Sequence, residues 1–259
     1  MDLGLRGKIA IVGGASMGIG YGIAHQLGAE GAKLVITARR DGNLSVAAEK
    51  LRAQTGAEVL AIAADCRKAE DCAGVVEATL ARFGGIDSLI NNDGAPPLGE
   101  LASFDDAAWA KAVEQNLMYV VRMTRAVVPH MQARGGGGIL NIAAISAIQP
   151  IPGFGLSVAT WGGVIGYAKT LSLEVASNNI NVNTICPGYI ETQRLQKVFA
   201  AGGEDPQVMR RKLEAEVPMG RIGTVEDIAG IVALLVSPRG RYITGTAIQV
   251  DGGLLRAVR

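Results

Sequence analysis

The residues of this chain whose spacing suggests chemistry are mostly glycines. Lys8 to Gly20 reads KIAIVGGASMGIG, an apolar run (Ile9 to Val12) that ends in Gly13 and Gly14 and gives way to a helical pattern after Gly18 and Gly20. A short buried strand, a glycine turn and a helix start bring backbone N–H groups up to a phosphate, because the first N–H groups of a helix lack internal partners. Gly14 is expected to make the tight turn, Gly18 to allow close approach and Gly20 to let the helix pack on the sheet. Ser16 and Ile19 lie in the same turn. Other candidates are weaker. Cys66, Cys72 and Cys186 are scattered without a CxxC, and read as reduced, buried thiols. His25 and His130 stand alone on helical patterns, so no metal site is expected. Arg210-Arg211-Lys212 reads first as a solvated helix face, and second as a contact for a phosphate-bearing substrate such as a coenzyme A ester.

The elements that must hold these residues alternate. Strands are expected at Ile9–Val12, Lys33–Thr37, Val59–Ala63, Ser88–Ile90, Ile139–Ala143, Ile180–Ile185 and Ala247–Val250. Helical patterns fall between them, including a long one from Phe104 to Arg134, others over Leu44–Leu51, Ala69–Phe83 and Val158–Ala176, and a last one over Val225–Val236. That alternation predicts an α/β fold: a doubly wound, parallel, seven-stranded sheet with helices on both faces. No linker or repeat divides the 259 residues, so residues 1–259 are expected to form one domain. A helical excursion at 192–217 carries a loose spot at Gly202 to Pro206. A net charge of +1 offers no basic stripe for nucleic acid, and no apolar run approaches the ~20 residues that span a membrane. Met1 to Gly7 lacks a signal peptide's apolar stretch, which predicts a cytoplasmic protein.

Gly14-Ala15-Ser16-Met17-Gly18-Ile19-Gly20 resembles the TGxxxGIG turn of the short-chain dehydrogenase/reductase family, with Gly13 where threonine is usual. Asn91-Asn92-Asp93-Gly94 resembles its NNAG motif, and Pro187-Gly188-Tyr189-Ile190-Glu191-Thr192 its PGxxxT segment. Thr244-Gly245 and Val250-Asp251-Gly252-Gly253 also fit, and the likeness runs along essentially the whole chain. The resemblance implies a Rossmann-like domain whose substrate lid is the 192–217 excursion. It also implies a cofactor cleft built from Gly14, Ser16, Gly18, Ile19, Gly20, Arg39, Asp65, Asn92, Pro187 and Gly188, with Asn116 the asparagine of the catalytic tetrad. Ala38 and Arg39 after the second strand tilt the nucleotide toward NADP(H).

The same resemblance exposes a gap. Where the family carries its catalytic serine, tyrosine and lysine, this chain has Ala144, Ser157 and Trp161, and no Tyr-x-x-x-Lys occurs elsewhere. Residues 157 and 161 share one helix face. A serine hydroxyl is a poor acid and an indole has one donor and no charge. Losing a general acid typically costs ~10²–10⁴ in rate. A nucleophilic role for Ser157 would need a base, and neither histidine lies in a matching motif. Trp161 is expected to project into the space of the nicotinamide ribose. A carboxylate at Asp93, ~5 Å from a phosphate, would repel it by about 3 kcal/mol at an effective dielectric of 20; the alternative is that Asp93 faces solvent or caps the following turn.

These features predict no catalytic residues, no tightly bound cofactor (NAD(P) only weakly) and a non-catalytic subunit supporting an active paralogue in a heterotetramer. Paired short-chain dehydrogenases of that kind are exemplified by the hydroxyacyl-CoA dehydrogenase of anaerobic toluene degradation. The alternatives are an active NAD(P)-dependent oxidoreductase with non-standard catalytic residues, and a homo-oligomeric scaffold or ligand sensor. No nucleic-acid or membrane partner is expected.

Overall fold

A computed structural model describes residues 1–94, 96–201 and 205–257, the side chains of 197, 198, 200 and 201 excepted. The chain folds as β1 (Ile9–Val12), α1 (Gly18–Ala29), β2 (Lys33–Ala38), α2 (Asp41–Thr55), β3 (Val59–Ala63), α3 (Ala69–Phe83) and β4 (Ser88–Asn91). There follow α4 (Asp106–Val113), α5 (Tyr119–Ala133), β5 (Gly137–Ile142), α6 (Gly155–Val175), β6 (Ile180–Pro187), α7 (Gln193–Ala201), α8 (Pro206–Glu216), α9 (Val225–Val236) and β7 (Ala247–Val250). The seven strands form one sheet in the order β3-β2-β1-β4-β5-β6-β7, every pair parallel. The expected sheet is therefore present.

Period-two alternation assigns each strand residue to one of two cores. Val12, Ile36, Ile90, Leu140 and Ile185 join the cluster that also holds Ile23 and Leu27 of α1, Leu44 and Leu51 of α2, and Ile228 and Val232 of α9. Ile11, Val35, Leu89, Ile139 and Cys186 join the other, with Val75 of α3, Val127 of α5 and Val164 of α6. Strands buried on both faces explain why they read as unbroken apolar runs.

Three departures from the sequence reading bear on the site. The long helix expected from Phe104 to Arg134 is broken between α4 and α5 by a π-helical turn, Glu114–Met118, which contains Asn116. Helix α6 begins at Gly155 instead of Val158, which puts Ser157 in its first turn. Strand β5 begins earlier and ends earlier than expected, because Gly137 and Gly138 pair with Ile180 and Asn181 of β6. Of the loose spot at Gly202 to Pro206, residues 202–204 lie outside the described residues, and Pro206 starts α8. Among the described residues, no helix is long and apolar enough to cross a membrane.

Candidate active site

The order of the sheet reverses at β1, whose neighbours are β2 and β4. The two loops that leave its carboxyl end there diverge and open a crevice, which is where ligands bind on open α/β sheets. Gly14, at φ +57, occupies the turn after β1, and a Cβ there would lie 2.1 Å from the backbone oxygen of Asn92. A Cβ on Gly20 would lie 2.4 Å from the carbonyl oxygen of Gly14, so α1 closes directly onto the turn. Asn92 ties the two loops together by donating its side-chain N–H to the Gly13 carbonyl, 3.1 Å away. Helix α1 starts at Gly18 without a side-chain cap and with no acid in its first turn. Its N-terminal N–H groups are thus left for an anion, and the dipole favours one. Ser16 and Ile19 are half-buried in this turn. Opposite it, Thr192 stands 3.6 Å from where a Gly18 Cβ would be. These residues fit a dinucleotide's pyrophosphate.

At the adenosine end, Arg67 grips Asp65 with two bonds, Nε to Oδ1 at 2.7 Å and Nη2 to Oδ2 at 2.5 Å. That grip, aided by the charge of Arg39, holds the Asp65 carboxyl below its ordinary pKa. Arg39 is exposed at the end of β2. On the far side, Pro187 ends β6, and the Gly188 N–H donates to the Val250 carbonyl at 3.0 Å.

Of its two readings, Asp93 matches the cap of the following turn. Its Oδ1 accepts the N–H of the next residue, Gly94, at 2.7 Å, and its own N–H donates to the Tyr119 hydroxyl at 2.9 Å. The carboxylate therefore caps its own turn, and its charge acts on Arg67. Burial holds the Tyr119 hydroxyl well above its ordinary pKa, and the Asp93 charge adds to that shift.

Trp161 is 7 % exposed and belongs to the apolar cluster with Tyr119, Ile148, Val164 and Ala168. Its indole is mostly taken up by this core. Ala144 packs at the edge of the same cluster. Ser157 is 1 % exposed, and its hydroxyl has no hydrogen-bond partner among the described residues. The same holds for the hydroxyl of Ser146, in the single turn after β5 that packs on α6. Asn116 donates its amide to the Thr160 hydroxyl at 2.8 Å, and Thr160 donates onward to the Leu156 carbonyl at 2.7 Å. The Asn116 carbonyl oxygen is buried and unpartnered among the described residues. Ser146 escaped the sequence reading because it lies in no motif, and Thr160 because it fills a variable position between Ser157 and Trp161; the fold is what joins Thr160 to Asn116.

In the 192–217 excursion, Arg210 bonds Glu191 and also Glu214, the latter at 3.4 Å. It is accounted for by ion pairs within the chain, unlike the substrate contact weighed for it above. The three cysteines are free and buried, and among the described residues no cluster could hold a metal ion. A cavity of about 390 Å³ lies between Tyr189, Arg221, Asp227 and Asp251. Another of about 180 Å³, lined by Lys8, Asp87 and Arg134, opens at the opposite, amino-terminal end of the strands.

Residues 14–255 match the family model described as Enoyl-(Acyl carrier protein) reductase. Dehydrogenase/reductase SDR family member 4 of Caenorhabditis elegans is 37% identical over 250 residues, covering 96% of this chain and 95% of that protein. L-sorbose reductase from Gluconobacter frateurii, solved with NADPH and L-sorbose, is 36% identical, with a TM-score of 0.95 and 100% of both chains covered. Actinorhodin polyketide ketoreductase with NADPH is 33% identical, with a TM-score of 0.92, covering 97% of this chain and 98% of the other. Two expectations are corrected by these matches. A non-catalytic subunit is contradicted by full-length relatives named as dehydrogenases and reductases, among which an active oxidoreductase, the first alternative, fits better. The absence of a tightly held cofactor is contradicted by neighbours that hold NADPH. Asp93 and Trp161, read from the sequence as obstacles to the cofactor, are engaged in a turn and in an apolar core.

Proposed function

Because the chain belongs to the short-chain dehydrogenase/reductase family, we propose that it is an NADP(H)-dependent oxidoreductase that interconverts a carbonyl group and an alcohol with non-standard catalytic residues. The observation that carries this reading is the end-to-end match, at 36% identity, to a reductase solved with NADPH. The cleft supports it, since the uncapped start of α1 and the turn at Gly14 leave room and charge for a pyrophosphate. Arg39, exposed beside Asp65, supports a 2′-phosphate and so NADPH over NADH.

When bound, the nicotinamide supplies the hydride. The chain must hold the substrate oxygen and return a proton to it. Among the described residues, Ser157 and Ser146 carry the buried hydroxyls that lack partners, and they are the donors we assign to that oxygen. Neither is acidic enough to release its proton outright, so each passes on a proton taken from water. Asn116 and Thr160 brace this end of α6 through their bond. The expected outcome is slow turnover, about 10²–10⁴ below that of relatives with a tyrosine acid.

Oxidation of NADPH by the isolated chain, followed by its absorbance over a panel of ketones and 3-oxoacyl thioesters, tests the reading. Turnover that Ser157→Ala lowers about tenfold or more supports it. A chain that binds NADPH yet shows no turnover above background with any carbonyl would overturn it. Association with a paralogue that carries the full Tyr-x-x-x-Lys set is a separate proposal, read by native mass spectrometry of the co-expressed chains.

A further inference from the structure

The cavity of about 180 Å³ at the amino-terminal end of the strands is no part of the cofactor crevice, which opens at their carboxyl ends. Its cations are Lys8, Arg134 and Arg241, set against the single carboxylate of Asp87. The Asp87 Oδ2 accepts the Ile9 N–H at 2.9 Å, and Lys8 and Arg134 each reach the carboxylate at 3.2 Å. That carboxylate is largely buried, while the side chains of Lys8 and Arg134 are exposed at the rim. One carboxylate therefore serves two cations. An ammonium with three N–H donors and a guanidinium with five keep most of them free. The Arg241 guanidinium has no hydrogen bond or ion pair among the described residues. The cavity is left with a surplus of two positive charges.

Ser88 adds a hydroxyl. It starts β4, is 2 % exposed and lines the cavity, yet its side chain has no hydrogen bond among the described residues. Unlike the sealed hydroxyls of Ser146 and Ser157, that of Ser88 opens onto this polar space. The backbone contributes little, because the N–H groups of Gly135, Gly136 and Gly137 already donate to the carbonyls of Gln132, Met131 and Asn179. Donors to a ligand are thus side chains, three charged and one neutral. A dianion with oxygens on several sides answers both the surplus charge and the spread of donors, as a single carboxylate does not.

We propose that this cavity is a second ligand site, which binds a phosphate group through Lys8, Arg134, Arg241 and Ser88. The group is carried by inorganic phosphate or by a small phosphate ester. The site stands apart from the oxidoreductase reading, since none of these residues belongs to the cofactor cleft.

Arg241 is exposed and Ser88→Ala removes one oxygen, so neither replacement disturbs the cores. Wild type, Arg241→Gln, Arg241→Lys and Ser88→Ala are titrated calorimetrically with sodium phosphate and with glycerol 3-phosphate. The titrations run at about pH 8, where both probes are dianions, and at constant ionic strength in sodium chloride. Each is repeated on chain saturated with NADPH, which fills the carboxyl-end crevice. Wild type is expected to bind a probe with a Kd of about 1 mM or tighter, unchanged by NADPH. Arg241→Gln is expected to weaken binding about tenfold or more, Ser88→Ala less, and Arg241→Lys to restore part of the loss. Binding of glycerol 3-phosphate alone assigns the site to an ester; binding of both assigns it to the phosphate group itself. A chain that ignores NADPH removes the oxidoreductase reading and leaves the Arg241 variants to decide the site. No binding of either probe by wild type, displacement of the probe by NADPH, or equal affinity in wild type and Arg241→Gln would overturn the proposal.

Discussion

Asp93 shows how a single charge changes meaning with its orientation. As a residue type in the NNDG motif it is a repulsive neighbour for phosphate; hydrogen-bonded to the Gly94 N–H it is a turn cap. Asp93→Ala is therefore expected to leave NADPH affinity within about threefold of wild type by fluorescence titration. A gain of tenfold or more would restore the repulsive reading. Trp161 teaches the same lesson through packing. Trp161→Lys places an ammonium into the apolar cluster shared with Tyr119 and Val164, where burying a charge is expensive. That variant is expected to lose several kcal/mol of stability by urea denaturation before any catalytic gain can be read. Trp161→Phe, which keeps most of the apolar volume, is expected to lose clearly less.

Among the elements, α9 links the segment after β6 to the glycine turn, because it packs along α1 and is preceded by the loop that pairs with Ile190. Its start is fixed by Asp227, whose Oδ2 accepts the Thr224 N–H at 2.7 Å and whose carboxylate takes both Nη groups of Arg221, at 2.7 and 3.0 Å. The Arg221 bonds, followed by the Thr224 N–H, pull its pKa down to about 2 from an ordinary 3.8. A lowered carboxylate pKa stabilises the fold fully above its unfolded value, and that contribution fades as pH falls from about 4 toward 2. Asp227→Asn is thus expected to cost about 1 kcal/mol at pH 7. The gap from wild type should narrow below about pH 4 in urea titrations. A gap that stays constant down to pH 2.5 would show that the charge is not its source. The π-helical turn that breaks the long helix is the other element with consequences, since it turns Asn116 inward to meet Thr160 of α6.

For the whole molecule, the two apolar cores make the sheet a rigid base on which the β1 and β4 loops are displayed, so binding in their crevice stabilises the entire fold. A ligand present at a hundred times its dissociation constant adds about 2.7 kcal/mol to the unfolding free energy. For a chain of this length that is a rise in Tm of about 5 °C or more. NADPH is expected to produce that rise by calorimetry, and NADH at the same concentration a smaller one, given Arg39. Equal shifts from the two would remove Arg39 as the discriminating contact.

The amino-acid order alone determined the architecture of this protein. Alternating apolar strands and amphipathic helices admit few packings, and glycines at 14, 18 and 20 stand where a side chain would strike backbone or demand a strained φ. Those are local properties, readable from residue type and spacing. The tertiary structure alone decided what the exceptional side chains do. Asp93 turned to a neighbouring N–H, Trp161 to a core, and Arg210 to two glutamates. A motif's missing tyrosine and lysine say which groups are absent from a site, but hydrogen bonds and ion pairs form between residues distant in sequence. Which buried hydroxyls and cations remain unpaired, and therefore available to a ligand, follows only when the chain has brought all their competitors together.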